Sequence, residues 1–149
     1  MISVRVQAGD FDPGVEIAAL HAGRTDIGAV ASFTGLVRAD GGLESLTLEH
    51  YPAMTERALQ AIADEAGRRW PLQAGLIIHR HGCLLPGNRI VLVAVASPHR
   101  AAAFEACEFL MDWLKTKAPF WKREQSGGTS RWVEPKAEDD IATDRWRQA

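Results

Sequence analysis

The sequence predicts an α+β fold, a mixed α/β sandwich, from three observations. Strand-like and helix-like segments interleave along the chain, which calls for helices packed on sheets. The run Ile90-Val-Leu-Val-Ala-Val-Ala96 is apolar on both faces, as a strand covered on both sides must be. Several strands are neighbours in sequence joined by short glycine-bearing turns, which favours antiparallel pairing. At 149 residues, 46% of them hydrophobic and 24% charged, the chain is long enough to enclose a substantial core.

Each element has its own local warrant. Ile2-Ser-Val-Arg-Val-Gln7 alternates apolar and polar side chains and reads as a half-buried strand. Asp12-Pro13 pairs an N-cap with proline at the first helical position and opens a short helix to about Ala22. Residues 28–37, rich in Val, Phe and Thr, read as a strand. After the turn at Ala39-Asp-Gly-Gly42, Ser45 to Tyr51 alternates Leu46 and Leu48 with polar neighbours and is expected to be the antiparallel partner of that strand in a hairpin. Pro52 opens a helix to Trp70 with Met54, Ala58, Ile62 and Ala66 on one apolar face, and Pro71 stops it. Strands at Leu76 to His81 and Arg89 to Ser97 flank the turn Leu85-Pro-Gly-Asn88, the second being the central, most buried strand. Ser97-Pro98 begins the longest helix, with Ala103, Phe104, Cys107, Leu110, Met111 and Leu114 as its stripe, and Pro119 limits it. Phe120 to Gln125 and Arg131 to Glu134 close the chain as short strands joined across Gly127-Gly128. Without repeats or an interdomain linker, the division is one compact domain over 1–135 and a loose C-terminal tail or partner-contacting arm over 136–149.

Composition narrows the function. A net charge of −2 argues against a general nucleic-acid binder. No apolar run reaches the roughly 18 to 20 residues of a membrane span, and the first residues carry no basic, apolar and cleavage pattern, so a cytoplasmic protein that contacts no membrane is expected. Cys83 and Cys107 have no metal-type spacing and are too few for a disulfide framework. His79 and His81 can share one strand face, but no third ligand stands at workable spacing, so no metal is called for.

Chemistry-bearing residues concentrate in two places. Three of the four lysines, Lys115, Lys117 and Lys122, fall within eight residues, while thirteen arginines fill the other basic positions. Lysine can be shifted toward proton transfer by an apolar setting, whereas arginine stays charged. The setting here is Trp113-Leu-Lys-Thr-Lys-Ala-Pro-Phe-Trp-Lys-Arg-Glu124, rich in aromatic and apolar groups. Lys115 stands one turn after Met111, about 40° around the helix, at the border of the buried stripe. By strand alternation Lys122 shares a face with Phe120, and Trp121 with Arg123. The second place is Ser97-Pro-His-Arg100, where a buried strand runs into a helix N-terminus and His99 and Arg100 stand beside unpaired N–H groups, a socket for phosphate or carboxylate. Arg38, after Thr34-Gly-Leu-Val37, is a further candidate anion clamp. At each place a plain alternative stays open: a helix cap, a snorkelling lysine, a solvated arginine.

Distance joins these places in one way. His99 and Lys115 are separated by roughly 24 Å along one helix, too far to serve one small substrate. The sites are therefore separate, or a symmetric dimer sets His99 and Arg100 of one subunit against the lysines of the other, which is the favoured arrangement.

Phe33-Thr-Gly-Leu-Val-Arg38, Leu48-Glu-His-Tyr-Pro52, Ser97-Pro-His-Arg100, Phe104-Glu-Ala106, Leu114-Lys-Thr-Lys-Ala-Pro-Phe-Trp-Lys-Arg-Glu124 and Arg131-Trp-Val-Glu134 together resemble the MoaE family, the large catalytic subunit of molybdopterin synthase. The resemblance runs from about residue 28 to 146. It implies an α/β-hammerhead-like core with an additional antiparallel β subdomain. It also implies sulfur transfer to cyclic pyranopterin monophosphate (precursor Z), giving the dithiolene of molybdopterin without a resident cofactor. The implied partner is a small ubiquitin-like sulfur-carrier subunit with a C-terminal Gly-Gly thiocarboxylate, bound to a homodimer at the centre of a heterotetramer. Carried onto this chain, Lys115 and Lys122 are the catalytic amines, and Leu36, Val37, Arg38, His99, Arg100, Arg123, Glu124 and Lys136 bind substrate. Lys136 stands where the family often has arginine, and His81 where an apolar residue is more usual.

Two other classes make different demands. A non-catalytic phosphate-ligand module needs the Ser97 to Arg100 socket but no lysine chemistry. A single-stranded nucleic-acid binder can stack bases on Phe120 and Trp121 beside Lys122, with steep salt dependence.

Overall fold

The computed structural model describes residues 2–133 and 137–148. Its elements are β1 (Ile2–Gln7), α1 (Pro13–His21), β2 (Ala29–Leu36), β3 (Leu43–His50), α2 (Pro52–Arg69), β4 (Ala74–Arg80), β5 (Gly82–Leu84), β6 (Arg89–Ser97), α3 (Arg100–Lys117), β7 (Phe120–Ser126), β8 (Thr129–Val133) and α4 (Ala137–Asp144). The strands form two four-stranded sheets, ordered β1-β4-β6-β2 and β5-β3-β7-β8. In the first, β1 runs parallel to β4 and the other pairs are antiparallel; the second is antiparallel throughout. The expected α+β class, with a helix-covered sheet and an added antiparallel β unit, is the architecture observed.

The apolar run in β6 is explained by what covers it. Val91, Val93 and Val95 join Ile77 of β4 on the face packed by Leu59, Ile62, Ala63 and Ala66 of α2 and by Ala103, Ala106, Phe109 and Leu110 of α3. The opposite face, with Leu76, Ile78 and Leu92, packs on Phe11 and on Ile17 and Leu20 near and within α1. Successive side chains of a strand point to opposite faces, so a strand sandwiched this way must be apolar at every position. Asp12 caps α1, its carboxylate accepting from Val15 N–H at 3.2 Å. Both cysteines are free; burial pushes the Cys107 thiol up to about 11, consistent with a small core residue.

Three expectations are corrected. Strands β2 and β3 do not form a hairpin: β2 pairs with β6, whereas β3 pairs with β5 and β7 in the other sheet. Between Gly35 and Leu36 the register shifts, and Val37 then exchanges backbone hydrogen bonds with the turn before β6, its N–H to Asn88 O at 2.9 Å and its O from Gly87 N–H at 2.7 Å. That anchoring carries the chain out of the first sheet before β3 begins. The buried face of α2 is Thr55, Leu59, Ile62, Ala63 and Ala66, rotated from the expected stripe so that Met54 is exposed. Thr55 is tolerated inside because its hydroxyl meets His50 Nδ1 at 3.1 Å.

The third concerns the C-terminal residues, which dock on the body where a loose tail was one expectation. The Thr143 hydroxyl donates to Asp112 O at 2.9 Å, and Trp146 Nε1–H donates to the Asp112 carboxylate at 2.6 Å. Trp146 lies edge-on to Trp70 and Phe109, each at 5.6 Å between ring centroids. A buried, satisfied hydroxyl and an indole in an aromatic nest hold α4 against α3.

Candidate functional site

A cavity of about 750 Å³ lies where the C-terminal end of α3 meets both sheets. Local chemistry builds it. Helix α3 ends at Lys117, because Pro119 cannot continue it, and β7 starts at once with Phe120. In β7, Phe120 and Lys122 are half-buried, while Trp121 and Arg123 are exposed, as strand alternation predicts. Lys122 stands opposite Leu48 of β3 and Val133 of β8, both of which line the cavity. Lys115 and Met111, one helical turn apart, line it from α3, and Gly35 and Leu36 line it from the end of β2. Arg38 completes the cationic lining. It forms an exposed ion pair with Asp40 at 3.2 Å, the kind worth little in water and easily exchanged for another anion. Among the described lining residues, Asp139 of α4 is the one acid facing these cations.

His79, the last apolar-facing position of β4, is the buried polar residue of the cavity wall. Its ring stacks on Phe120, 3.9 Å between centroids and 16° between planes, and Nδ1–H donates to Arg80 O at 2.9 Å. Burial pushes its pKa down to about 4; the backbone bond to Arg80 opposes that, and the charges of Lys122 and Lys115 lower it further. The buried imidazole thus shares one cavity lining with both amines. Behind it, His50 lies 4.6 Å from His81 and 5.4 Å from Phe120, and burial, then the charge of His81, lowers the pKa of His50. No group of three or more His, Cys, Asp or Glu among the described residues is arranged to hold a metal.

The sequence-predicted residues divide. Lys115, Lys122, Arg38 and Leu36 meet at the cavity. Val37 does not line it: its side chain is buried with Leu48 and Leu84. Arg123 turns outward over the Trp132 ring at 5.7 Å, and Glu124 pairs with Arg131 at 3.5 Å. Lys117 turns toward Trp113, 5.8 Å from its ring. Lys136 lies outside the described residues. His79 and Asp139 as cavity groups were not anticipated; the available signal was a histidine ending the otherwise buried apolar run Ala74–Ile78.

His99 and Arg100 are exposed at the far end of α3 and do not line this cavity. His99 is the N-cap, without a side-chain capping bond, and the first turn holds no acid, so the positive end of the helix is left to an incoming anion. Ser97 shapes the turn by donating its hydroxyl to His99 O. Gly28 bonds to Ser97 O at 3.1 Å, and a Cβ there would come within 2.0 Å of Pro98 O, so only glycine allows this approach.

Known proteins share this sequence and this fold. A family model described as MoaE protein matches residues 6–117. The molybdopterin synthase catalytic subunit of Ralstonia nicotianae is 58% identical over 149 residues, covering 98% of this chain and 85% of that one. The solved molybdopterin biosynthesis MoaE protein from Burkholderia ambifaria superposes with a TM-score of 0.86 at 51% identity, covering 99% of each chain. The solved molybdopterin synthase from Staphylococcus aureus gives 0.80 at 33% identity, covering 87% of this chain and 96% of that one. By sequence and by fold, the chain belongs to the MoaE family.

Proposed function

We propose that this chain is the catalytic subunit of a cytoplasmic molybdopterin synthase. It takes sulfur from the C-terminal thiocarboxylate of a small ubiquitin-like carrier subunit and delivers it to precursor Z, forming the dithiolene of molybdopterin. The observation that carries this is the convergence of Lys115, Lys122 and Arg38 on one largely apolar cavity in a member of the MoaE family. An anionic thiocarboxylate and an anionic cyclic phosphate repel one another, so cations in a water-poor space are needed where they meet. An ammonium beside the carrier's terminus holds the thiocarboxylate, and an amine near the pterin moves protons as the ring opens. Lys115 takes the first role and Lys122 the second. Neither cysteine is needed, because sulfur arrives on the partner.

The phosphate is held by Arg38 with His99 and Arg100, the latter two supplied by a second copy of the chain, because roughly 24 Å of helix separates them from Lys115 within one copy. Leu36 walls the substrate site. Val37, Arg123 and Glu124 contribute by fixing the surrounding backbone and strand, and Lys136 adds a cation to the same segment. Two such chains form a homodimer with one carrier subunit on each, a heterotetramer whose catalytic unit is 1–135. No helix among the described residues is long and apolar enough to cross a membrane. The test mixes the purified chain with thiocarboxylated carrier and precursor Z and assays molybdopterin. Product is expected; its absence with wild-type protein overturns the proposal.

A further inference from the structure

We propose that His79 is a further residue of this reaction centre, its Nε2 lone pair accepting a hydrogen bond from an N–H of the pterin ring and fixing the ring's orientation. The proposal rests on the pterin-substrate assignment above and adds a residue to it. Four observations carry it. First, His79 is only 8% exposed yet lines the cavity, so the exposed part of its surface is cavity surface. Second, Nδ1–H is committed to Arg80 O, which leaves Nε2 as the basic nitrogen of a neutral ring. Third, the near-parallel stack on Phe120 pins the ring plane from the strand that carries Lys122. Fourth, the surroundings keep the ring neutral: it is buried, and the charged groups that act on it, Lys122 and Lys115, are cations, with His50 adding to the same effect.

The cavity's chemistry makes such an acceptor useful. Arg38, Lys115 and Lys122 can only donate while protonated, and they suit phosphate and thiocarboxylate. A reduced pterin also presents ring N–H and amino donors, which cations cannot satisfy. Among the described lining side chains, the Thr34 hydroxyl is both donor and acceptor, and the Thr116 hydroxyl is already engaged with Asp112 O at 3.1 Å and the Thr143 hydroxyl at 2.9 Å. Asp139 sits on α4 among the cations it faces. His79 is the one imidazole in the lining, and it accepts without bringing a negative charge toward the incoming phosphate. A pocket that must hydrogen-bond a donor discriminates strongly against ligands lacking it, so this residue acts on substrate orientation and choice.

The test combines kinetics with nitrogen-15 NMR on the full chain. His79→Phe keeps the stack on Phe120 but removes the acceptor, whereas His79→Gln returns an amide oxygen near the Nε2 position. With thiocarboxylated carrier, kcat/KM for precursor Z should fall roughly 3- to 10-fold in His79→Phe, mainly through KM, and recover in His79→Gln. In the wild-type chain the ring should be the Nδ1–H tautomer throughout pH 5.5 to 8, about the working range of an ordinary histidine, and its Nε2 resonance should shift when precursor Z is added. An Nε2–H tautomer, an Nε2 resonance indifferent to precursor Z, or equal kinetics in His79→Phe and wild type overturns the proposal. Should His79→Phe fail to fold, the wild-type NMR result decides alone. Failure of the parent assignment is recognised separately, because wild type would then make no molybdopterin.

Discussion

The two ends of α3 present opposite environments, although one continuous helix joins them. At the C-terminal end Lys115 looks into a cavity walled by both sheets, with Phe120 and Lys122 following within a few residues of the helix stop. At the N-terminal end His99 and Arg100 stand exposed, without a side-chain cap. Helix polarity matches the division: the positive N-terminal end favours an anion, and the negative C-terminal end favours the ammonium groups of Lys115 and Lys117. The contrast teaches that one copy carries an enclosed set of amines and, at the other end of a rigid rod, an open anion grip. On the proposed function, each copy supplies half of two active centres.

The largest effect should come from the enclosed end. Lys115→Ala or Lys122→Ala should lower the rate of molybdopterin formation by about two to four orders of magnitude, with the thermal midpoint and oligomeric state unchanged. Single-turnover assays beside calorimetry check this; retention of wild-type rate would remove lysine chemistry from the cavity. The middle of the rod comes next. Phe109 is essentially fully buried against Trp70, Trp113 and Trp146, so Phe109→Ala should cost about 3–5 kcal/mol of stability in denaturant unfolding.

A pH effect of smaller size should separate the cavity from the open end. The folded-state pKa of His79 is about 4, below the ordinary value near 6.5, so the unfolded chain binds the extra proton first. Stability is therefore complete above about pH 6.5 and is lost as pH falls toward 4, by up to about 3 kcal/mol. Burial acts in the same direction on His50. Unfolding titrations of wild type against His79→Gln should show a shallower acid loss in the variant; parallel curves would mean that the ring is not held neutral by its surroundings. The exposed end should give the smallest change. Arg100→Ala should raise KM for precursor Z roughly 10-fold or more, the scale of one lost charged hydrogen bond, with stability within about 0.5 kcal/mol of wild type.

The elements that frame the cavity were legible in the sequence where a single local rule decided them. Proline at 119 fixes the end of α3, the doubly apolar run identifies β6 as the central strand, and Gly127-Gly128 marks the turn between β7 and β8. Alternation in β2 and β3 specified a half-buried face but not a partner. Their assignment to different sheets depends on Val37 binding a turn some fifty residues later, which no local pattern encodes. The buried face of α2 departs from the apolar stripe because Thr55 is buried through its bond to His50, a cross-element contact that hydrophobic periodicity cannot register. In the site, Lys115 and Lys122 stood out because lysine is scarce here, whereas His79 gains its setting only when Phe120 of the second sheet stacks on it. The docking of α4 was hidden for a similar reason, since its acidic first turn reads as solvated while Thr143 and Trp146 bind α3 through Asp112.

The shared active centre is tested most directly by mixing two variants with complementary defects. The Lys115→Ala chain, nearly inactive, and the Arg100→Ala chain, weakened at low substrate, are unfolded together, refolded to allow mixed dimers and supplied with thiocarboxylated carrier and with precursor Z well below the wild-type KM. If the lysines of one copy work with the anion grip of its mate, a mixed dimer carries one intact centre, and activity should rise well above either parent. Activity that remains at the average of the two parents, with mixed dimers demonstrated by mass spectrometry, would contradict a centre built across the two copies.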